Sequence, residues 1–152
     1  MIFVTVGTHH QPFERLLGAL GGLDAELVVQ YGPGRPPANA VRAEAFMPFG
    51  EMIECLREAE TVITHAGVGS ILCARREGHT PLVVPRRHDL GEHVDDHQAE
   101  LTRALVERGS VVAVWDVDDL ARTVAVAPPR QPPAESGEPA LCPDVRSALL
   151  SG

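Results

Sequence analysis

Two short glycine-bearing segments carry the first chemical signal in this chain. Gly7-Thr8-His9-His10 follows the run Ile2-Phe3-Val4-Thr5-Val6, and His65-Ala66-Gly67-Val68-Gly69-Ser70 follows Thr61-Val62-Ile63-Thr64. A strand that empties into glycine and then into a helix start exposes free backbone N–H groups and the positive end of the helix dipole, and together these suit a diphosphate. Gly67 and Gly69 let the backbone approach phosphate oxygens, and Ser70 adds a hydroxyl beside the first helical turn. Glycine loops after strands also occur for turn geometry alone, so the loops carry weight only in combination with other features. The second constellation runs from Pro85 to Gln98 (PRRHDLGEHVDDHQ), directly after a buried-type strand. Two chemistries suit it. His88, His93 and His97 with their acidic neighbours could bind a divalent metal, or Arg86, Arg87 and Gln98 could grip an anionic ligand. His93 and His97 stand four apart, as a helical zinc pair requires, a spacing that is also common by chance. Glu92, Asp95 and Asp96 equally fit a solvated helix start that complements the dipole.

The elements that must position these groups can be read from periodicity. Ile2–Val6, Glu26–Tyr31, Thr61–Thr64, Pro81–Pro85 and Val111–Trp115 read as strands, and Ala43–Met47 as a weaker one. Phe13, Leu16, Leu17 and Leu20 recur at helical spacing after Pro12, and helices are also predicted over Gly50–Ala59, Ile71–Glu77 and Val94–Glu107, with a short one opening at Asp118-Asp119-Leu120. Six strands alternating with helices through short loops call for a doubly wound α/β domain with a mostly parallel, Rossmann-like sheet. In such sheets the ligand lies outside the carboxyl ends of the strands, where both glycine loops fall.

The bulk composition narrows the class. At 152 residues and 44% hydrophobic content the chain suits one core, expected over residues 1–127, with the Pro-rich 128–152 as a flexible tail. A net charge of −8 offers no basic footprint for nucleic acid. The three cysteines, Cys55, Cys73 and Cys142, form no CxxC pair and fit a reducing compartment, hence a cytoplasmic expectation. The opening residues lack the marks of a leader, and no apolar run approaches the roughly 20 residues that cross a bilayer.

Three segments taken in order carry a family resemblance: FVTVGTH…PF.RLL at the start, THAGVGSI in the middle, and VVPRRHDLGEHVDDHQ later. Together they resemble the glycosyltransferase family 28 C-terminal domain, from Met1 to about Ala121. Within it, the chain is similar to the single-domain catalytic subunits of bacterial exopolysaccharide glycosyltransferases and of the eukaryotic two-subunit UDP-N-acetylglucosamine transferase. The resemblance implies one half of a GT-B glycosyltransferase: a domain holding a UDP-sugar donor, with a membrane-anchored partner subunit holding the acceptor, expected to be a lipid-linked saccharide at the inner face of the membrane. It also implies hexosyl transfer with inversion and needs no cofactor and no metal.

Carried over position by position, the resemblance places Gly7, Thr8, Gly67, Gly69 and Ser70 around the diphosphate, Phe49 near the base with Phe46 as a further candidate, and Arg86, His97 and Gln98 toward the donor's sugar. His9 and His65 are the candidate bases in this chain, although the resemblance assigns the base to the acceptor subunit. One departure stands out: Cys73 occupies the position where larger relatives carry a glutamate for the ribose. Two other readings remain, a nucleotide-sugar-binding module without transfer activity, and a small hydrolase or epimerase built on His88, His93 and His97.

Overall fold

The computed structural model describes residues 1–93 and 95–132. Six parallel strands form one sheet in the order β3-β2-β1-β4-β5-β6: β1 (Ile2–Thr5), β2 (Leu27–Gln30), β3 (Ala40–Glu44), β4 (Thr61–His65), β5 (Leu82–Val84) and β6 (Val112–Ala113). The helices between them are α1 (Glu14–Ala19), α2 (Phe49–Glu58), α3 (Val68–Arg76) and α4 (His97–Glu107), and α5 (Leu120–Ala125) follows β6. Strand β1 lies in register between β2 and β4, with Ile2 opposite both Leu27 and Thr61. The chain winds outward through β2 and β3, then returns to the other side of β1 for β4. The strand order therefore reverses between β1 and β4, which makes that crevice the switch point where such sheets bind ligands.

Alternation along the strands supplies both faces of the core. Ile2, Val4, Leu27, Val29 and Ile63 face one side with Leu16, Leu17 and Leu20 of the α1 region and Leu120 of α5. Phe3, Val28 and Val62 face the other, against Cys55 and Leu56 of α2 and Ala74 of α3. Near-continuous apolar runs are what a parallel sheet covered on both faces requires.

Several boundaries differ from those expected, and helix α3 already starts at Val68, three residues before the predicted Ile71. The third strand runs over Ala40–Glu44, three residues before the predicted Ala43 start. It is an edge strand with exposed Val41, Arg42 and Glu44, so it shows no apolar run, whereas Phe46 and Met47, which suggested a strand, have already left the sheet. Helix α4 starts at His97 instead of Val94, which lies outside the described residues. Ahead of it, Glu92 turns inward to pair with Arg15 of α1 (3.0 Å), and the Asp95 carboxylate accepts the His97 N–H (2.9 Å). Strand β6 spans two residues of the predicted five, leaving Trp115 exposed beyond it.

The expected tail boundary falls partly in view. The Arg130 guanidinium Nε donates to the Glu77 carbonyl (2.7 Å) and the Gln131 N–H to the Gly78 carbonyl (2.9 Å), so this stretch lies against the end of α3. Residues 133–152, with the rest of the predicted tail and Cys142, lie outside the described part. Among the described residues no helix is long and apolar enough to cross a membrane.

Candidate functional site

A cavity of about 370 Å³ opens at the carboxyl ends of β1 and β4, within the size range of small-molecule sites. Its floor is polar and built from the last residues of two strands. The Thr5 hydroxyl donates to Gln30 Oε1 (2.7 Å), the Gly7 N–H donates to the same oxygen (3.1 Å), and Gln30 Nε2 donates to the carbonyls of Gly7 (3.0 Å) and Ala45 (2.8 Å). One glutamine thus ties the loops after β1 and β3 to the end of β2. Sequence reading passed over both Thr5 and Gln30; the available signal was a polar residue ending an otherwise apolar buried run.

His65, the last residue of β4, forms the middle of the wall. Its ring lies against Gly7 and Gly67, so close that a Cβ on either glycine would overlap it. Gly7 also adopts a φ of +77°, which favours glycine on backbone grounds. Burial, reinforced by the positive charge of Arg86, pushes the His65 imidazole down to about 3, so it is neutral near pH 7. Its two nitrogens are engaged. Nδ1 lies 3.3 Å from the Gln98 amide nitrogen, and Nε2 lies 3.5 Å from Ser70 Oγ.

Helix α3 starts at Val68 beside this ring. No side chain caps it, so the first-turn N–H groups, which have no intrahelical acceptor, are left free where Gly69 and Ser70 line the cavity. Part of the lining is apolar: Phe46 and Phe49, 66% and 67% exposed, stand with Met47 and Met52. Cys73, one turn beyond Ser70, also lines the cavity, and burial raises its thiol above the ordinary range. Every lining side chain is uncharged at neutral pH.

Of the predicted site residues, Gly7, Thr8, Phe49, His65, Gly67, Gly69 and Ser70 line this one cavity, and so does Phe46. Arg86 and Gln98 do not face it; both are buried behind its wall. Fully buried, Arg86 stacks over the Phe13 ring (4.7 Å) and donates to the carbonyls of Val6 (2.9 Å), Gln11 (2.9 Å) and Glu92 (3.1 Å). Burial lowers its guanidinium to about 10, still charged at neutral pH. The expected direct grip on a ligand gives way to a clamp: Arg86 fastens the Gly7 loop to the loop after β5. Gln98 is likewise spent internally, its Oε1 accepting the Arg86 N–H (3.0 Å).

His9 lies outside this lining set, stacked on His10 (4.6 Å) and tilted against His93 (4.7 Å). Burial first, then the Arg86 charge and the neighbouring rings, lower its basicity. His9 Nδ1 accepts the Gln11 N–H (3.1 Å), so in both His9 and His65 the Nδ1 lone pair is already occupied. A ring bonded in that way offers an Nε2–H donor and is not set to take up a proton. His97 is exposed, with Nδ1 3.4 Å from Asp95 Oδ2. Among the described residues no three His, Cys, Asp or Glu side chains converge as a metal site.

The profile of the glycosyltransferase family 28 C-terminal domain matches residues 1–136. The chain belongs to this family. It is 32% identical to tylactone mycaminosyltransferase of Streptomyces fradiae over 75% of this chain and 28% of that protein. Over a shorter stretch, 44% of this chain and 32% of the relative, it is 44% identical to the UDP-N-acetylglucosamine transferase subunit ALG13 of Cryptococcus neoformans var. neoformans serotype D. The chain thus spans less than a third of either curated relative. Among solved structures, the glycotransferase of kitacinnamycin superposes with a TM-score of 0.55 at 21% identity, over 99% of this chain and 37% of that one. The glycosyltransferase SnogD from Streptomyces nogalater gives 0.52 at 22%, over 98% and 37%. The shared fold is one Rossmann-like half of a GT-B glycosyltransferase.

Proposed function

We propose that this family 28 domain holds a UDP-sugar donor in the cavity between the β1 and β4 loops and passes its hexosyl group, with inversion, to an acceptor presented by a second, membrane-anchored subunit. The observation that carries the reading is the mixed lining of that cavity. It joins the uncapped helix start at Ser70 with the exposed aromatic rings of Phe46 and Phe49, the two kinds of group that a nucleoside diphosphate needs for its phosphates and its base. The diphosphate meets the N–H groups of Val68, Gly69 and Ser70, and the uracil meets Phe46 and Phe49. The nucleoside's ribose then falls against Cys73, with Thr8 beside the donor.

Departure of UDP develops negative charge on the diphosphate. The α3 dipole, the Ser70 hydroxyl and the buried charge of Arg86 behind the wall stabilise it in a site that needs little reorganisation, which is electrostatic catalysis without a metal. Deprotonating the acceptor hydroxyl needs a base. With Nδ1 occupied in both His9 and His65, that group comes from the acceptor subunit. The occupied histidines also support the second reading, a module that binds nucleotide sugar without transferring it on its own. The similarity to ALG13, named as a subunit, supports a two-chain enzyme.

Calorimetry of UDP, UDP-glucose and UDP-N-acetylglucosamine against the isolated chain, with Ser70→Ala and Phe49→Ala, tests the site. Micromolar UDP binding weakened in both variants is the expected result. Binding that neither substitution alters would move the donor elsewhere. Adding the acceptor subunit then separates transferase from binding module, since only the former releases UDP from its donor in the presence of acceptor.

A further inference from the structure

We infer that Gln98 is a positioning residue whose side-chain amide fixes the tautomer of His65 and, through that ring, turns the Ser70 hydroxyl into a hydrogen-bond donor aimed at an anion in the cavity. The inference rests on the donor-site reading for the identity of the anion, but the hydrogen-bond chain itself does not.

The chain of polarity starts at a backbone group that can only donate. The Arg86 N–H lies 3.0 Å from the Gln98 amide oxygen, so the amide cannot be reversed without setting N–H against NH₂. The NH₂ end therefore faces His65 Nδ1 at 3.3 Å. An amide NH₂ has no lone pair to offer, so Nδ1 must be the acceptor, and the neutral imidazole carries its hydrogen on Nε2. That nitrogen lies 3.5 Å from Ser70 Oγ, so the ring donates and the hydroxyl oxygen accepts. The hydroxyl hydrogen is then free to point into the cavity, in the same sense as the N–H groups of the α3 start. In the other tautomer Ser70 would donate to the ring and turn lone pairs toward an incoming phosphate.

The surroundings hold the arrangement in place. Gly7 and Gly67 both lie against the Nε2–Cε1 side of the ring, so close that a Cβ on either would overlap it. Gln98 is buried at 8% exposure, where an apolar side chain would pack at lower desolvation cost, so the two amide bonds are what the position provides. The sequence match that assigns Gln98 to the donor sugar gives no hint of this task, because the link to β4 spans 33 residues.

The test is made on the full chain, labelled with nitrogen-15 and assigned by comparison with His65→Gln. At pH 7 the imidazole spectrum of the free wild-type protein is expected to show His65 with unprotonated Nδ1 and protonated Nε2. In Q98E the carboxylate keeps the Arg86 N–H but accepts from Nδ1, which moves the ring hydrogen to Nδ1, and UDP affinity falls about tenfold or more, as for a lost hydrogen bond to a charged group. A wild-type ring protonated on Nδ1 overturns the proposal with no variant needed. So does a Q98E ring that keeps its Nε2–H, or a Q98E protein with reversed tautomer and unchanged UDP affinity. A wild-type chain that binds no UDP overturns the donor-site reading instead, and the free-protein spectra then decide the relay on their own.

Discussion

The imidazole of His65 is held by two glycines that differ in why they must be glycine, and the difference is measurable. Gly67 has an ordinary φ of −83°, so Gly67→Ala introduces only the overlap with the ring. Gly7→Ala introduces the same overlap plus a left-handed backbone, worth about 1–2 kcal/mol more. Both variants should lose UDP affinity by roughly tenfold or more, the scale of one lost contact to a charged group. Gly7→Ala should also melt a few degrees lower than Gly67→Ala, which scanning calorimetry reads directly; equal melting temperatures would mean that the loop relaxes its backbone freely. The same ring predicts a pH dependence. Folding keeps His65 neutral down to about pH 3, whereas the unfolded chain protonates it near 6.5. The unfolded state therefore binds the extra proton between these values, and stability is lost as pH falls through that window and is unaffected above it. About 2 kcal/mol should disappear between pH 7 and pH 5 from this residue. Urea titrations of wild type and His65→Gln compare the two slopes, and parallel slopes would remove His65 from the account. His79, buried and lowered likewise, contributes equally to both proteins and cancels.

At the scale of elements, the strand ends are what turn a sheet into a site. Gln30 ends β2 and makes bonds to the Gly7 loop and to Ala45 beyond β3, so it sets where Gly7 and Phe46 stand relative to each other. Gln30→Leu leaves the Gly7 carbonyl and the Thr5 hydroxyl hydrogen without their partner, while the Ala45 carbonyl keeps the Gly32 N–H (3.0 Å), with an expected loss of about 2–4 kcal/mol in urea unfolding from unpaired buried polar groups. It should also weaken UDP binding by loosening the loops; an unfolding free energy within about 0.5 kcal/mol of wild type would mean that water or local shifts replace the network. This element also marks the limit of what sequence discloses. The glycine loops after β1 and β4 were legible because strand, glycine and helix follow one another within ten residues. Glu92, Arg86 and Gln98 were legible as polar residues but not as a clamp, because their partners lie on α1, the Gly7 loop and β4. A pairing such as Arg15 with Glu92, separated by 77 residues, leaves no local periodicity to read. The β3 boundary was missed for the opposite reason: an edge strand needs no apolar face, and the apolar residues after it serve the cavity.

For the molecule as a whole, the parallel sheet separates two tasks between its two ends. The carboxyl ends of β1 and β4 carry the cavity. At the amino end, residues after α5 return across the helices that lead into and out of the central strands. Arg130 donates to the carbonyls of Glu77 and Arg57, and its guanidinium stands 3.6 Å from the Glu77 carboxylate. The Gln131 N–H closes on the Gly78 carbonyl at 2.9 Å. The C-terminal ends of α2 and α3, whose last carbonyls lack intrahelical donors, are therefore capped by a segment that composition alone assigned to a flexible tail. Ending the chain at Ala127 removes these bonds and should destabilise the domain by about 1–3 kcal/mol relative to a chain that ends at Pro132. Arg130→Ala should reproduce most of the loss. The spatial separation adds a sharper expectation: UDP affinity of the Ala127 truncation should stay within twofold of the full chain at a temperature where both are folded. Melting curves and UDP calorimetry on the two truncations decide this. A truncation that keeps its melting temperature would assign 128–132 no part in the fold. A truncation that melts lower and also loses UDP affinity would show that strain at the amino end reaches the cavity through β1 and β4, the two strands that join them.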